Sequence, residues 1–260
     1  MMIKRIIITC LIIAEAGMAY SQSTYGKEFY LFHSSKNQSK EIMATYGNDS
    51  MFCKDDLMDL SLSMYPNDSS RSDYFVILIP GDGGWMDFTT EIAAVCSRRG
   101  VPVVGFSTVP YFIERKTPKQ VAVDIQRVIR NFSHVWKKKK VILAGYSLGA
   151  EIMPFIYNAL DKEYKKKVIR YAIIAASNEA SFWVSPNYKY RHEEMMPVLP
   201  ELKKTDTSKL LILCDNTKES LCRYLPENHH YQIVQLSDGH EFVGRWNHYA
   251  NIIADKILAK

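Results

Sequence analysis

The chain has 260 residues and a mass of 29.9 kDa, with 47% hydrophobic and 23% charged residues. This is the composition of a globular protein, because 12 glycines and 10 prolines are too few for a fibrous or disordered chain. The net charge of +5 falls short of the dense basic clustering that nucleic-acid binders show, so we expect no nucleic-acid partner.

The first 21 residues have the order of a secretory signal peptide. A short basic start ends at Arg5, an apolar run follows at 6–14, and small residues continue to Ser21. The apolar run is shorter than the roughly 18 residues that a membrane-spanning helix needs, so cleavage after Ala19 or Ser21 is favoured over an uncleaved anchor. The sequence thus predicts a periplasmic protein with one mature domain at 22–260.

The cysteines fit an exported chain. Removal of the signal peptide also removes Cys10 and leaves Cys53, Cys96, Cys214 and Cys222, an even number that permits disulfides. Cys214 and Cys222 close a short loop and are the favoured pair. Cys96 lies in an apolar helical pattern, which is typical of a buried free thiol, and the pairing of Cys53 stays open.

Short β-branched segments alternate with helical patterns along the mature chain. Strands are predicted at 74–79, 101–107, 140–144, 168–175, 210–214 and 231–236, with a possible extra strand at 30–33. Helices are predicted at 89–99, 118–136, 148–160 and 242–258. Apolar strands that alternate with helices form a mostly parallel sheet covered on both faces, so the predicted fold class is α/β, a three-layer α/β/α sandwich.

Two segments lie outside this alternation. The polar segment 34–71 is predicted to form a leading hairpin and loops. The segment 178–208 interrupts the rhythm before the fifth strand, and an insertion of this length would lie above the sheet as a cap.

A nucleophile motif follows the third predicted strand. Residues 145–149 read Gly-Tyr-Ser-Leu-Gly, the G-x-S-x-G pattern, between the strand 140–144 and the helix 148–160. In this strand–turn–helix context the serine sits on a turn too tight for side chains beside it. We predict that Ser147 is the nucleophile of an α/β-hydrolase fold; an ordinary surface turn is the alternative.

A glycine-rich loop, Gly-Asp-Gly-Gly-Trp at 81–85, directly follows the first predicted strand. Met86 stands where a dinucleotide fingerprint would need another glycine, which excludes that kind of site. Hydrolases of this architecture keep their oxyanion loop here, so the backbone N–H groups of Gly83, Gly84 and Leu148 are the predicted oxyanion donors. A simple glycine turn is the alternative.

The base and the acid should follow the last two strands, because this class orders its triad Ser, acid, His. Of seven histidines, only His240 lies directly past the last predicted strand. The acid should follow the strand 210–214, where Asp215 and Glu219 both stand. Glu219 is favoured because it lies further along, past the turn; Asp215 is the alternative, and the other carboxylate would be a turn or capping residue.

The remaining charged residues suggest no further site. No spacing among the histidines resembles a metal site, so we predict no metal and no cofactor. The lysine runs at 137–140 and 165–167 both precede strands, whereas the serine, the histidine and the glycine loop all follow strands. In a parallel sheet these are opposite edges, so the lysines are interpreted as solvated loop ends rather than a surface for anions.

Four segments together resemble the VirJ family of bacterial virulence proteins and the C-terminal domain of AcvB, which are exported α/β-hydrolases. The matching segments are 81–85 (GDGGW), 111–118 (YFIERKTP), 145–158 (GYSLGAEIMPFIYN) and 238–242 (DGHEF). The resemblance spans about 74–255. This chain departs from the family pattern at Leu148, Glu151, Ile113 and Glu241, where the family tends to have Phe, Asp, Trp and His. The residues predicted to be catalytic match the family pattern, so these departures bear on the substrate pocket.

The resemblance implies a periplasmic enzyme that hydrolyses aminoacyl esters of phosphatidylglycerol, notably the lysyl ester, and an association with type IV secretion. An aminoacyl ester carries a free ammonium near the scissile carbonyl, and a desolvated ammonium needs a partner. Asp82 and Trp85 in the glycine loop are therefore candidate substrate contacts, with bracing of the loop as the alternative role of Asp82. The competing interpretations are a general exported esterase or lipase, and a non-catalytic factor that binds a secretion component. The expected partner is a phospholipid or other ester substrate, and a membrane surface and a secretion-system component are further candidates.

Overall fold

The computed structural model describes residues 20–23, 26–30, 57, 59–67, 70–184, 195–227 and 230–259. Most of the predicted signal peptide, Cys53 and the middle of the predicted cap lie outside the described residues. Within the described residues, no helix is long and apolar enough to cross a membrane.

Nine strands of the described residues form one mixed sheet. In chain order they are β1 (Tyr20–Ser23), β2 (Gly26–Tyr30), β3 (Leu62–Tyr65), β4 (Tyr74–Ile79), β5 (Val103–Phe106), β6 (Lys140–Tyr146), β7 (Val168–Ile174), β10 (Leu210–Cys214) and β11 (Gln232–Gln235). Across the sheet their order is β1-β2-β3-β5-β4-β6-β7-β10-β11. The six strands from β5 to β11 in this order pair in parallel, and β1, β2 and β3 join one edge antiparallel. The carboxyl ends of the six parallel strands therefore share one edge of the sheet.

Helices cover both faces of the sheet. They are α1 (Asp87–Arg98), α2 (Thr108–Phe112), α3 (Pro118–Val135), α4 (Leu148–Ala159), α5 (Lys162–Lys167), α6 (Val198–Leu202) and α7 (Trp246–Leu258). Side chains on β4 alternate between two apolar clusters: Phe75, Ile77 and Ile79 pack with α3 and α4, whereas Val76 and Leu78 pack with α1 and α7. Such alternation is what a strand buried on both faces requires, and it explains the continuous apolar run of β4.

The predicted three-layer α/β/α sandwich is confirmed. All six predicted parallel strands are present, with ends that differ by two residues or fewer. Helix α7 begins at Trp246 rather than at 242, because Phe242 (φ 49°) and Gly244 (φ 76°) have left-handed backbone conformations that a helix cannot include.

The two segments outside the alternation also hold regular structure. The segment 34–71 contributes β3 to the sheet. The segment 178–208 contains β8 (Glu179–Ala180), which pairs antiparallel with β9 (Met196–Pro197), and then the short helix α6.

Candidate active site

Ser147 lies on a strained turn between β6 and α4. Its backbone has φ 54° and ψ −120°, a conformation that a non-glycine residue adopts only where the surroundings enforce it. A Cβ on Gly145 would lie 2.2 Å from the carbonyl oxygen of Gly149, and a Cβ on Gly149 would lie 2.2 Å from that of Ile79. Gly145 therefore lets the start of α4 fold back onto the end of β6, and Gly149 lets the turn lie against the end of β4.

His240 joins Ser147 to a carboxylate. His240 Nε2 lies 2.8 Å from Ser147 Oγ, and His240 Nδ1 lies 3.0 Å from Asp215 Oδ2. These three side chains follow β6, β10 and β11, so the common carboxyl edge of parallel strands brings them together. The arrangement has the hydrogen-bond order of a serine-hydrolase triad.

The carboxylate beside His240 is Asp215, and this corrects the preference for Glu219. The Asp215 side chain is 1% exposed and also accepts a hydrogen bond from Thr217 Oγ1 at 3.1 Å. Glu219 is exposed on the same loop. The expectation that the acid lies past the turn fails because β10 ends at the sheet edge level with β11, so the first residue after it already faces His240.

The loop that follows Asp215 is held at both ends. Cys214 and Cys222, the pair favoured by their spacing, form a disulfide. The Leu221 N–H donates to the Ala176 carbonyl oxygen at 2.7 Å, which ties the far end of the loop to the segment after β7. These contacts leave Asp215 little freedom to move away from His240.

Asp215 and His240 each stabilise the charged form of the other. Burial raises the pKa of Asp215, but hydrogen bonds from His240 and Thr217 outweigh it and hold this pKa below its usual value. The hydrogen bond to Asp215 raises the pKa of His240; burial opposes this, and the negative charges of Asp215, Glu151 and Asp82 add to it. His240 is therefore a stronger base than an isolated imidazole.

The glycine loop lies against the nucleophile. A Cβ on Gly81 would lie 3.1 Å from Ser147 Cβ, and Thr108 Oγ1 donates to the Gly81 carbonyl oxygen at 2.5 Å. The Leu148 N–H is at the first position of α4, where backbone N–H groups have no acceptor within the helix. Gly83 and Gly84 were both predicted to donate to the oxyanion. The Gly84 N–H instead donates to the Gly81 carbonyl oxygen at 3.1 Å within the turn, so that part of the prediction is wrong and Gly83 remains as the candidate.

Trp85 anchors this loop to the sheet, and its assignment to substrate binding stays a prediction. Its Nε1 donates to the Tyr65 hydroxyl at 2.9 Å, and its ring covers Gly105, where any Cβ would lie 2.4 Å from the indole. Asp82 is half-buried, and its negative charge adds to the rise in the pKa of Tyr146 that burial causes and to the rise in the pKa of His240 that the hydrogen bond to Asp215 causes. Asp82 thus lies near the triad.

Two residues that support the site were not assigned a role at the site from the sequence. The Tyr146 hydroxyl donates to the His240 carbonyl oxygen at 2.8 Å, and the two rings stack with centroids 5.5 Å apart. Glu151 Oε1 accepts hydrogen bonds from Ser177 Oγ at 2.7 Å and from Ser177 N at 3.3 Å. Each lies next to or within the G-x-S-x-G motif, and that proximity was the signal that could have found them.

The part of the chain that the structure describes has no cluster of three or more histidine, cysteine, aspartate or glutamate side chains able to hold a metal. Cys96 is a free, buried thiol, and burial raises its pKa to about 12, so it is chemically inert. The lysine run at 137–140 lies at the amino edge of the sheet, where Lys138 Nζ donates to the Ser72 carbonyl oxygen at 2.7 Å.

Residues 73–260 match the model of the family described as bacterial virulence protein (VirJ). The chain belongs to the VirJ family. This confirms the resemblance drawn from the four motif segments. A search of curated proteins finds no significant match for this VirJ-family chain.

Solved structures of similar fold include three hydrolases. The esterase Pf2001 of Pyrococcus furiosus has 15% identity over 76% of this chain and 84% of its own, with a TM-score of 0.51. A putative thioesterase from a Silicibacter species has 12% identity over 85% and 90%, with a TM-score of 0.52. Est1E from Butyrivibrio proteoclasticus has 11% identity over 76% and 94%, with a TM-score of 0.51. These likenesses show that the VirJ-family chain has the α/β-hydrolase fold.

Proposed function

We propose that this chain is a periplasmic serine hydrolase that cleaves aminoacyl esters of phospholipids, with lysyl-phosphatidylglycerol as the favoured substrate. The observation that carries the proposal is the continuous hydrogen-bond chain from Ser147 Oγ through His240 to Asp215. A buried aspartate, an imidazole of raised pKa and a serine on a strained turn together form a nucleophile that needs no cofactor.

The reaction has two steps. Ser147 Oγ attacks the ester carbonyl while His240 Nε2 takes its proton, and the N–H groups of Leu148 and Gly83 face the developing oxyanion. The imidazolium, stabilised by Asp215, then protonates the departing lipid hydroxyl, which leaves the aminoacyl group esterified to Ser147. In the second step His240 takes a proton from water, and the resulting attack releases the free amino acid and restores Ser147.

The charge around the triad supports a cationic substrate. The hydrogen bond to Asp215 is the main cause that raises the pKa of His240, and burial is the main cause that raises the pKa of Tyr146. The negative charges of Glu151 and Asp82 add to the first shift, and those of Glu241 and Asp82 add to the second, so three further carboxylates lie near the site. The chain as a whole carries a net charge of +5, which makes this local negative charge distinctive. A carboxylate near the scissile carbonyl would stabilise the free ammonium of an aminoacyl ester.

The nucleophile is tested with a fluorophosphonate probe and a lipid panel. The wild type should be labelled once and Ser147→Ala not at all, and the wild type should release lysine from lysyl-phosphatidylglycerol faster than fatty acid from plain phosphatidylglycerol. Labelling that persists in Ser147→Ala would reject the nucleophile. Cleavage of plain esters alone would favour a general exported esterase, and labelling without hydrolysis of any ester would favour a binding factor.

The ammonium contact is tested at Asp82. Asp82→Asn should lower kcat/KM on a lysyl ester by about two- to fivefold, the loss expected for one partly exposed charge pair, and leave a neutral short-chain ester nearly unchanged. Equal losses on both esters would instead assign Asp82 to bracing the glycine loop. Lysine release and short-chain alcohol release measure the two rates.

A further inference from the structure

The most exposed large apolar side chains of the described residues lie on the loops around the triad. Val243 is 71% exposed, and Met86 and Ile113 are each 61% exposed. We call these three the apolar tips. Soluble proteins expose single apolar residues at random positions, so three at one edge of the sheet require an explanation.

Each apolar tip is fixed to the same edge as Ser147. Met86 ends the glycine loop after β4, Ile113 follows β5 and α2, and Val243 lies three residues past His240. The loops of Met86 and Val243 adjoin, because the rings of Phe88 and Phe242 pack with centroids 5.0 Å apart. The tips therefore stand on three separate loops along one rim of the sheet.

Two ion pairs lie among the charged residues of this rim. Lys116 Nζ lies 3.1 Å from Glu114 Oε2, and Arg245 Nη1 lies 3.0 Å from Asp238 Oδ2. Trp246, beside Arg245, is partly exposed, and its Nε1 donates to the Glu241 carbonyl oxygen. Paired charges, apolar tips and an indole with a satisfied N–H are the composition of a surface that enters a lipid interface through apolar contact.

The opposite edge of the sheet is rich in lysine rather than in exposed apolar side chains. A cavity of about 310 Å³ there is lined by Lys165, Lys166, Lys204 and Lys209, together with Tyr157, Asn158 and Asp206. Such an edge would attract anionic lipids, but it would turn Ser147 away from the membrane, and the attraction would fall with salt. The two edges thus make different predictions for membrane binding.

We propose that the apolar tips Met86, Ile113 and Val243 insert into the phospholipid bilayer and seat the triad on its surface. This inference rests on the proposed function, since a lipid ester held in a bilayer reaches Ser147 only if the carboxyl edge of the sheet faces the membrane. Three loop tips spaced around a rim fit a fluid apolar layer, whereas a helix or peptide partner would need one continuous groove.

The experiment measures partition into neutral phosphatidylcholine vesicles by co-sedimentation, with all variants in a Ser147→Ala background. The variant Met86→Ser/Ile113→Ser/Val243→Ser should bind at least about tenfold more weakly, since each lost apolar contact reduces the partition coefficient. The matched control Val123→Ser/Ile169→Ser replaces apolar residues exposed elsewhere, at 45% and 36%, and should bind as tightly as its parent. Raising the salt from about 0.1 M to about 1 M should leave the binding nearly unchanged.

With Ser147 restored, the double variant Met86→Ser/Val243→Ser, which keeps Ile113, should cleave a soluble short-chain ester at the parental rate and a vesicle-borne ester at least about fivefold more slowly. The soluble ester also shows that the variant is folded. Absence of binding to neutral vesicles, equal losses in the control, or binding that salt abolishes would overturn the docking proposal. Vesicle binding through the tips without hydrolysis of any ester would leave docking intact and refute the proposed function.

Discussion

Asp215→Asn isolates the carboxylate that faces His240. Asp215 Oδ2 lies 3.0 Å from His240 Nδ1, and its Oδ1 is buried without a hydrogen-bond partner among the described residues. An asparagine can place its NH2 group against Nδ1, which forces the ring proton onto Nε2, so His240 can no longer accept the proton of Ser147. In serine-hydrolase triads this change lowers kcat by about 10⁴. We expect a loss of about 10³ to 10⁴, or roughly 4 to 5.5 kcal/mol in activation free energy.

The same substitution should shift the pH profile. The hydrogen bond to Asp215 raises the pKa of His240, and only neutral His240 can act as the base. The wild-type rate therefore rises with pH through a pKa that lies above the ordinary histidine value, and activity is lost below it. Without the carboxylate the pKa of His240 falls, so the residual rate of Asp215→Asn should persist to lower pH.

Glu219→Gln is the matched control, because Glu219 lies on the same loop and is exposed. It should retain nearly full kcat/KM on a short-chain ester, and fluorophosphonate should label it at the wild-type rate. A loss of about 10³ in Glu219→Gln, or retention of a tenth or more of the activity in Asp215→Asn, would refute the assignment of the acid to Asp215.

Three further outcomes are expected. Replacing Cys214 and Cys222 by alanine should lower the free energy of unfolding by about 2.5 kcal/mol, the chain-entropy value for so short a loop, as urea denaturation would show; no change would mean that the bond does not form. Gly149→Ala should lower the free energy of unfolding by about 3 kcal/mol, the upper range for overpacking. The control Gly239→Ala has open space around its Cβ and should leave the stability unchanged, and equal melting temperatures of the two variants would contradict the close approach of Gly149 to β4. Glu151→Gln removes a negative charge that raises the pKa of His240, so the acid limb of kcat/KM should move to lower pH; an unmoved limb would exclude the electrostatic role.

The sheet could be predicted because its strands are short and separated by helices of clear period. The run Tyr74–Ile79 is apolar at every position after the first, which is typical only of a strand buried on both faces. The antiparallel edge could not be predicted in the same way. Strand β3, Leu62–Tyr65, has four residues in a polar segment, and its burial comes from pairing with β5, a contact that no local pattern encodes.

The residues of the site also divide into those that the local sequence predicts and those that depend on how the strands pair. Ser147 and His240 follow from a motif and from a position after the last strand, both of which are local. The choice between Asp215 and Glu219 depends on where β10 ends relative to β11, and that register is a property of the sheet. Trp85 shows the limit again, because its contact with Gly105 crosses from one strand to the next.

The Cys214–Cys222 disulfide relates the proposed export of the chain to the position of the proposed catalytic acid. Cys214 is the last residue of β10, and Asp215, the next residue, is the acid of the hydrogen-bond chain. The bond to Cys222 closes the loop that begins at Asp215, so the covalent constraint acts one residue from the group that orients His240. Such a bond persists in an oxidising compartment and is reduced in the cytosol. An exported chain can therefore use it to hold the acid in place, and a preparation kept reduced should have a less ordered triad than an oxidised one.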